Sequence, residues 1–153
     1  MNPIQIPSLI LPFPSVNLTS WQLIADLLVY NSLDIPIENL DEKTAFIWAS
    51  EISPAGAPGP LWAWPELSPF PTSVSGNFWA AIGGGAGPSY PAVAALVPVA
   101  PLVITGTGVN GVVQTPMLRF LNHAPYARIR MQMPILGAAG SGWAVQVWFA
   151  GKG

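Results

Sequence analysis

Apolar and polar residues alternate most regularly near the end of this chain, in YARIRMQM (126–133) and WAVQVWF (143–149). The apolar positions of these segments are Ala127, Ile129, Met131 and Met133, and then Trp143, Val145, Val147 and Phe149. A period of two residues is typical of a β-strand with one buried face. Because the glycine-rich GAAGSG joins the two segments, we predict that they pair as an antiparallel hairpin.

Further short strand candidates precede this pair. They are AFIWAS (45–50), SGNFWAAI, AVAALVPVAPLVIT, GVVQT and MLRFL. Eighteen prolines and fifteen glycines separate them and disfavour long helices. Several short strands with frequent turns predict a mainly β chain, folded as an antiparallel, jelly-roll-like β-sandwich.

The first third of the chain has a different pattern. Four prolines interrupt the apolar residues of 1–18, which predicts an extended N-terminal arm that lies either on its own domain or on a neighbouring subunit. One short helix is predicted over 19–32, where Trp21, Ile24, Ala25 and Leu28 would form an apolar face. The predicted organisation is therefore an arm at 1–18, a helix with an acidic connection at 19–60, and a β-sandwich domain at 61–153.

Composition favours a subunit of an assembly. Apolar residues make up 51% of the chain and charged residues only 8%, against about 25% charged residues in ordinary soluble domains. So few charges give a lone monomer little protection against association. A membrane span is not expected, because Pro98 and Pro101 interrupt the longest apolar run, and the N-terminal residues do not resemble a signal peptide. The absence of cysteine excludes disulfides and thiolate metal sites.

The charges are segregated along the sequence. All seven acids lie in the first 66 residues together with Lys43, whereas the other four bases follow Leu118. This asymmetry suggests that acidic and basic segments pair, either within one fold or between copies. Nucleic-acid binding is not expected, because the few basic residues form no dense patch.

Candidate chemical motifs do not form a catalytic constellation. GTGVNG (106–111) fits a dinucleotide-binding spacing, but VVQTP follows instead of a helix, so Asn110-Gly111 is interpreted as a tight turn. His123 is the one histidine and has no accompanying nucleophile motif. The acids Glu38, Asp41, Glu42 and Glu51 are interpreted as solvated. We predict no enzyme activity, no cofactor and no metal.

Aromatic and arginine residues are the best binding candidates. Trp62 and Trp64 fall on one side of an extended segment, where they could stack on sugars or anchor an interface. Arg128 and Arg130 share a strand face and favour carboxylate partners, either within the chain or from Glu38, Asp41 or Glu42 of a neighbour.

The closing 35 residues, RFLNHAPYARIRMQMPILGAAGSGWAVQVWFAGKG, resemble the final hairpin of small head and tail proteins of tailed phages. That resemblance implies a virion structural protein, such as a jelly-roll capsid cement (decoration) protein. It also implies a homo-oligomer, often a trimer, whose partners are the major capsid protein or other virion proteins. The alternative is a host-recognition or carbohydrate-binding module that uses Trp62, Trp64 and Tyr90. The interface candidates are Ile4, Ile6, Leu9, Phe13, Trp62, Trp64, Arg128, Arg130 and Trp148.

Overall fold

The computed structural model describes residues 5–11, 22–74, 79–81 and 101–153, and every regular element in these ranges is a β-strand. The strands are β1 (Gln5–Leu11), β2 (Gln22–Ile24), β3 (Val29–Asn31), β4 (Ile35–Pro36), β5 (Glu42–Ile52), β6 (Leu61–Ser68), β7 (Ala80–Ala81), β8 (Leu102–Ile104), β9 (Val113–Gln114), β10 (Met117–Phe120), β11 (Tyr126–Gln132) and β12 (Gly142–Lys152). The prediction of a mainly β chain is therefore confirmed.

The strands form two antiparallel sheets, each with two long central strands. In sheet A, β12 pairs with β5 along its whole length, β1 and β2 lie on the free side of β12, and β9 and β10 lie on the free side of β5. In sheet B, β11 pairs with β6, flanked by β3 and β4 on one side and by β7 and β8 on the other. Each outer position is thus filled by two strands.

One hydrophobic core takes residues from both sheets, because each central strand turns alternate side chains inwards. Sheet A contributes Ala45, Ile47, Ala49, Trp143, Val145, Val147 and Phe149, and sheet B contributes Leu61, Ala63, Ala127, Ile129 and Met131. The two apolar faces predicted from the alternating segments are therefore confirmed.

The predicted hairpin between these two segments is wrong, because β11 belongs to sheet B and β12 to sheet A. Alternation identifies the buried face of a strand but not its partner. The connection, residues 133–141, is also much longer than a two-residue hairpin turn. It crosses from one sheet to the other instead.

The helix predicted over 19–32 is wrong in the part of that segment that the structure describes. Strands β2 and β3 lie there, on the edges of sheets A and B respectively. Asp26 accepts a hydrogen bond from the backbone N–H of Leu28 at 3.0 Å, which stabilises a turn between the two strands. Edge pairing in two different sheets thus overrides the weak helical periodicity.

Residues 19–60 also supply strands to both sheets. Strands β2 and β5 lie in sheet A, whereas β3 and β4 lie in sheet B. Within the predicted arm, β1 pairs with β12 of the same chain from Gln5, opposite Lys152, to Leu11, opposite Val147. That pairing matches the alternative in which the arm lies on its own domain; the remainder of 1–18 is outside the described residues.

Gly137 shows how tightly the crossing loop is held. A Cβ atom at this position would lie 2.4 Å from the backbone atoms Ala57 O and Gly59 N. We expect Gly137→Ala to lower the free energy of unfolding by about 2 kcal/mol, because backbone must shift to admit the methyl group. Chemical denaturation would measure this loss. Ala139→Ser, at an exposed position of the same loop, serves as the control, and equal stability of the two variants would contradict the expectation.

Candidate functional site

A buried charge cluster lies on the face of sheet B that points away from the core. Arg128 lies directly opposite Glu66 in the pairing of β11 with β6. Its Nε and Nη2 atoms donate to Oε2 of Glu66 at 2.9 and 2.7 Å. Arg130 Nη1 donates to the same oxygen at 3.3 Å. Two guanidinium groups therefore share one carboxylate oxygen.

Burial makes this cluster unusual. The side chain of Glu66 is fully buried, and those of Arg128 and Arg130 are only 7% and 12% exposed. The ring of Trp79 covers Arg128, with its centroid 4.3 Å from the guanidinium carbon. Burial lowers the pKa of Arg130, an effect that the charge of Glu66 opposes. Arg130 nevertheless remains protonated at any ordinary pH.

The sequence identified the two arginines but not their partner. Arg128 and Arg130 pair with Glu66 of their own chain, one of the two alternatives left open, and not with Glu38, Asp41 or Glu42. A signal for Glu66 was present, because it follows Trp62 and Trp64 in the same period-two phase. An acid in phase with two tryptophans on a strand is a candidate for burial.

The tryptophans of β6 occupy different environments. Trp62 is half-buried and lies opposite Gln132, whereas Trp64 is 2% exposed and lies opposite Arg130. The indole Nε1 of Trp64 donates to Glu66 Oε1 over 3.5 Å. Trp64 is therefore part of the buried cluster and presents no open face for stacking in this arrangement. Tyr90 lies outside the described residues.

The remaining interface candidates belong to sheet A or fall outside the described residues. Ile6 and Leu9 lie on β1, opposite Gly151 and Phe149, whereas Ile4 and Phe13 are outside the described residues. Trp148 lies on the outward face of sheet A, where its ring centroid is 5.8 Å from that of Trp48.

The outward face of sheet A carries one apolar patch that spans three strands. Met117, Phe46 and Trp148 form one row, because Phe46 pairs with Met117 on one side and with Trp148 on the other. Trp48 lies beside this row, 40% exposed, and Met117 is 63% exposed. We call these four residues the outer aromatic patch. Its charged neighbours on the same face, Glu42, Arg119 and Lys152, lie towards one end of the sheet.

The glycine loop after β8 surrounds a second buried acid, Glu51. The carboxylate of Glu51 accepts the backbone N–H groups of Thr107 and Gly108 at 2.8 and 2.6 Å. It also accepts the hydroxyl groups of Thr107 at 2.8 Å and of Ser53 at 2.5 Å. In a dinucleotide-binding loop, backbone N–H groups of this kind would bind phosphate. Here they bind the carboxylate of Glu51.

These hydrogen bonds control the ionisation of Glu51. Burial acts to raise its pKa, but the hydrogen bonds from Ser53, Thr107 and Gly108 outweigh burial and leave the pKa below its ordinary value. The interpretation of Glu51 as solvated is therefore wrong. Gly108 and Gly111 both have positive φ angles, of 82° and 83°, and the Asn110-Gly111 tight turn is confirmed.

Three further charged side chains, those of Lys43, Arg119 and Glu42, also have partners within the chain. The buried amine of Lys43 donates to the carbonyl oxygens of Leu40 and Asn122 at 2.8 and 2.7 Å. Burial lowers the pKa of Lys43, against the attraction of Asp41. The exposed Arg119 pairs with Glu42 at 3.1 Å. Ion pairing between the acidic and basic segments thus occurs within one chain.

His123 is exposed in the loop between β10 and β11. Among the described residues, no group of three or more His, Asp or Glu side chains is arranged to hold a metal ion. The described part of the chain contains no helix long and apolar enough to cross a membrane.

Comparison with known proteins adds no family to this description. Family models, curated proteins and solved structures each gave no match.

Proposed function

We propose that this protein is a non-enzymatic structural subunit of a virion, of the type of a small capsid cement (decoration) protein of a tailed phage. In this proposal it assembles as a homo-oligomer, with a trimer favoured, and binds the major capsid protein or other virion proteins. The outer aromatic patch is the observation that carries the proposal. Contiguous exposed apolar surface is typical of protein interfaces.

The order of the strands supports a jelly-roll sandwich for this subunit. Two strands that share an outer position of a sheet are counted here as one position, which gives eight positions in all. Sheet A then has the order β1/β2, β12, β5, β9/β10, and sheet B has the order β3/β4, β11, β6, β7/β8. The first and last positions are thus neighbours, and each sheet combines early and late strands. This order is that expected for two interleaved Greek keys, an architecture used in viral capsid and lectin domains.

The distribution of charge supports assembly in a different way. Glu51, Glu66, Arg128 and Lys43 are buried, so the surface has even fewer charges than the composition indicates. A surface with so little charge opposes association weakly. In a shell built of many copies, many weak apolar contacts would then act together and hold the assembly.

The outer aromatic patch gives a direct test of assembly. We expect the purified chain to form a defined oligomer in light scattering, and Trp48→Lys with Met117→Lys to shift it towards the monomer by adding buried charge at the interface. Ile135→Lys, at a loop position 65% exposed, is the matched control and should assemble normally.

Deletion of residues 1–18 would be a less specific test, because β1 also pairs within sheet A. A parent protein that stays monomeric at all concentrations, or a double variant that assembles as the parent does, would contradict the proposal. A monomer that binds glycans through Trp62 would instead support the host-recognition alternative.

A further inference from the structure

The buried cluster on sheet B holds more positive than negative charge. Among the described residues, Glu66 is the one carboxylate that pairs with Arg128 and Arg130. The segments outside the described residues contain no Asp or Glu, so none of their side chains can supply a second carboxylate. Two guanidinium groups therefore have a single ion-paired carboxylate, in a site where charge is costly to bury.

A cavity gives access to this charge from the surface. It has a volume of about 480 Å³ and is lined by Asn31, Ser32, Leu33, Asp34, Thr72 and Arg128. Pockets for small ligands commonly measure about 300–1,000 Å³, so the cavity could hold a molecule of monosaccharide size. We call it the Arg128 pocket.

Arg128 has donors left for a ligand in this pocket. Its Nε and one N–H of Nη2 are directed to Glu66. Of the three remaining N–H groups, one on Nη1 and one on Nη2 form the end edge of the guanidinium, whose geometry matches the two oxygens of a carboxylate. A ligand carboxylate there would restore charge balance without displacing Glu66.

Asn31 places a buried acceptor next to the arginine cluster. It lies directly opposite Arg130 in the pairing of β3 with β11, and its buried Oδ1 atom has no hydrogen-bond partner. Asp34 is a further acceptor in the wall, held in place by the N–H and hydroxyl of Thr72 at 2.6 and 2.9 Å. Asp34 forms no ion pair with Arg128. The carboxylate of Asp34 disfavours ligands that lack a hydrogen-bond donor.

We propose that the Arg128 pocket binds a small molecule that carries a carboxylate with hydroxyl groups beside it. The carboxylate meets the outer edge of Arg128, and a neighbouring hydroxyl donates to Asp34. Acidic sugars have this chemistry. This site is on sheet B and is independent of the outer aromatic patch, so it can be tested whether or not the chain assembles.

The test is calorimetric titration of the full chain with D-glucuronate, with its uncharged methyl ester as the matched ligand. We expect glucuronate to bind with a millimolar or tighter Kd and the ester to bind at least about tenfold more weakly, because the ester lacks the charge that Arg128 recognises. Equal binding of the two ligands, or no heat from glucuronate up to about 10 mM, would overturn the proposal.

Asn31→Asp tests the charge argument without removing an arginine. The new carboxylate would lie beside Arg130 and neutralise the excess charge, so we expect Tm of the free protein to rise by about 3 °C. The same variant should weaken glucuronate binding by about tenfold, because the positive potential is gone. Asn39→Asp, the same change at an exposed position, should alter neither quantity. A lower Tm in Asn31→Asp, or unchanged glucuronate binding, would count against the site.

Discussion

Glu66→Gln is expected to lower the free energy of unfolding by about 3–5 kcal/mol, because it leaves two buried guanidinium groups without a carboxylate. Glu66 is fully buried and accepts three hydrogen bonds from Arg128 and Arg130 through one oxygen. A neutral amide can still accept a hydrogen bond but no longer offsets the charge. Guanidinium denaturation followed by tryptophan fluorescence would measure the loss.

The control for this variant is Glu42→Gln, which breaks an ion pair of similar length on the surface. The Glu42 and Arg119 side chains are 46% and 61% exposed, so the pair should contribute no more than about 1 kcal/mol. Adding Arg130→Met to Glu66→Gln should recover part of the lost stability, since it removes one of the unpaired charges. Equal losses in Glu66→Gln and Glu42→Gln would show that the buried cluster is not a major source of stability.

The sequence predicted which faces of the strands are buried but not how the strands are arranged. The inward positions of β11 and β12 follow from alternation, because burying one face requires apolar residues at every second position. The assignment of these strands to different sheets depends on contacts with β5 and β6, which are distant in sequence. Local periodicity carries no information about such pairing.

The buried acids and the short edge strands were missed for separate reasons. Glu51 continues the inward phase of Ala45, Ile47 and Ala49, and that phase was a usable signal for burial. Acids on the surface of a protein are usually solvated. The donors that bind Glu51 belong to the loop at 105–111, and only the fold brings that loop to Glu51. Strands β2 and β3 have three residues each, too few for any period to distinguish them from one helical face.

Glu51→Gln is expected to destabilise the protein by about 3 kcal/mol near neutral pH, because an amide NH₂ must replace one acceptor oxygen among buried donors. Oε1 of Glu51 accepts from Ser53 and Gly108, and Oε2 accepts twice from Thr107. Whichever way the amide turns, at least one N–H group of the loop then faces another donor. Glu38→Gln, at an exposed position, is the matched control and should change stability little.

The pH dependence of the same two variants separates the charge of Glu51 from simple packing. The pKa of Glu51 is lower in the folded protein than its ordinary value of 4.5, so the folded state favours the ionised form. The contribution of ionised Glu51 to the free energy of unfolding is therefore complete above pH 4.5. It is lost as the pH falls below that value towards the pKa of Glu51 in the folded protein. We expect the stability of the parent protein and of Glu38→Gln to fall across this acidic range, and that of Glu51→Gln to fall less. Parallel curves for all three proteins would mean that the loop is held by packing, because only an ionised Glu51 links its stability to pH.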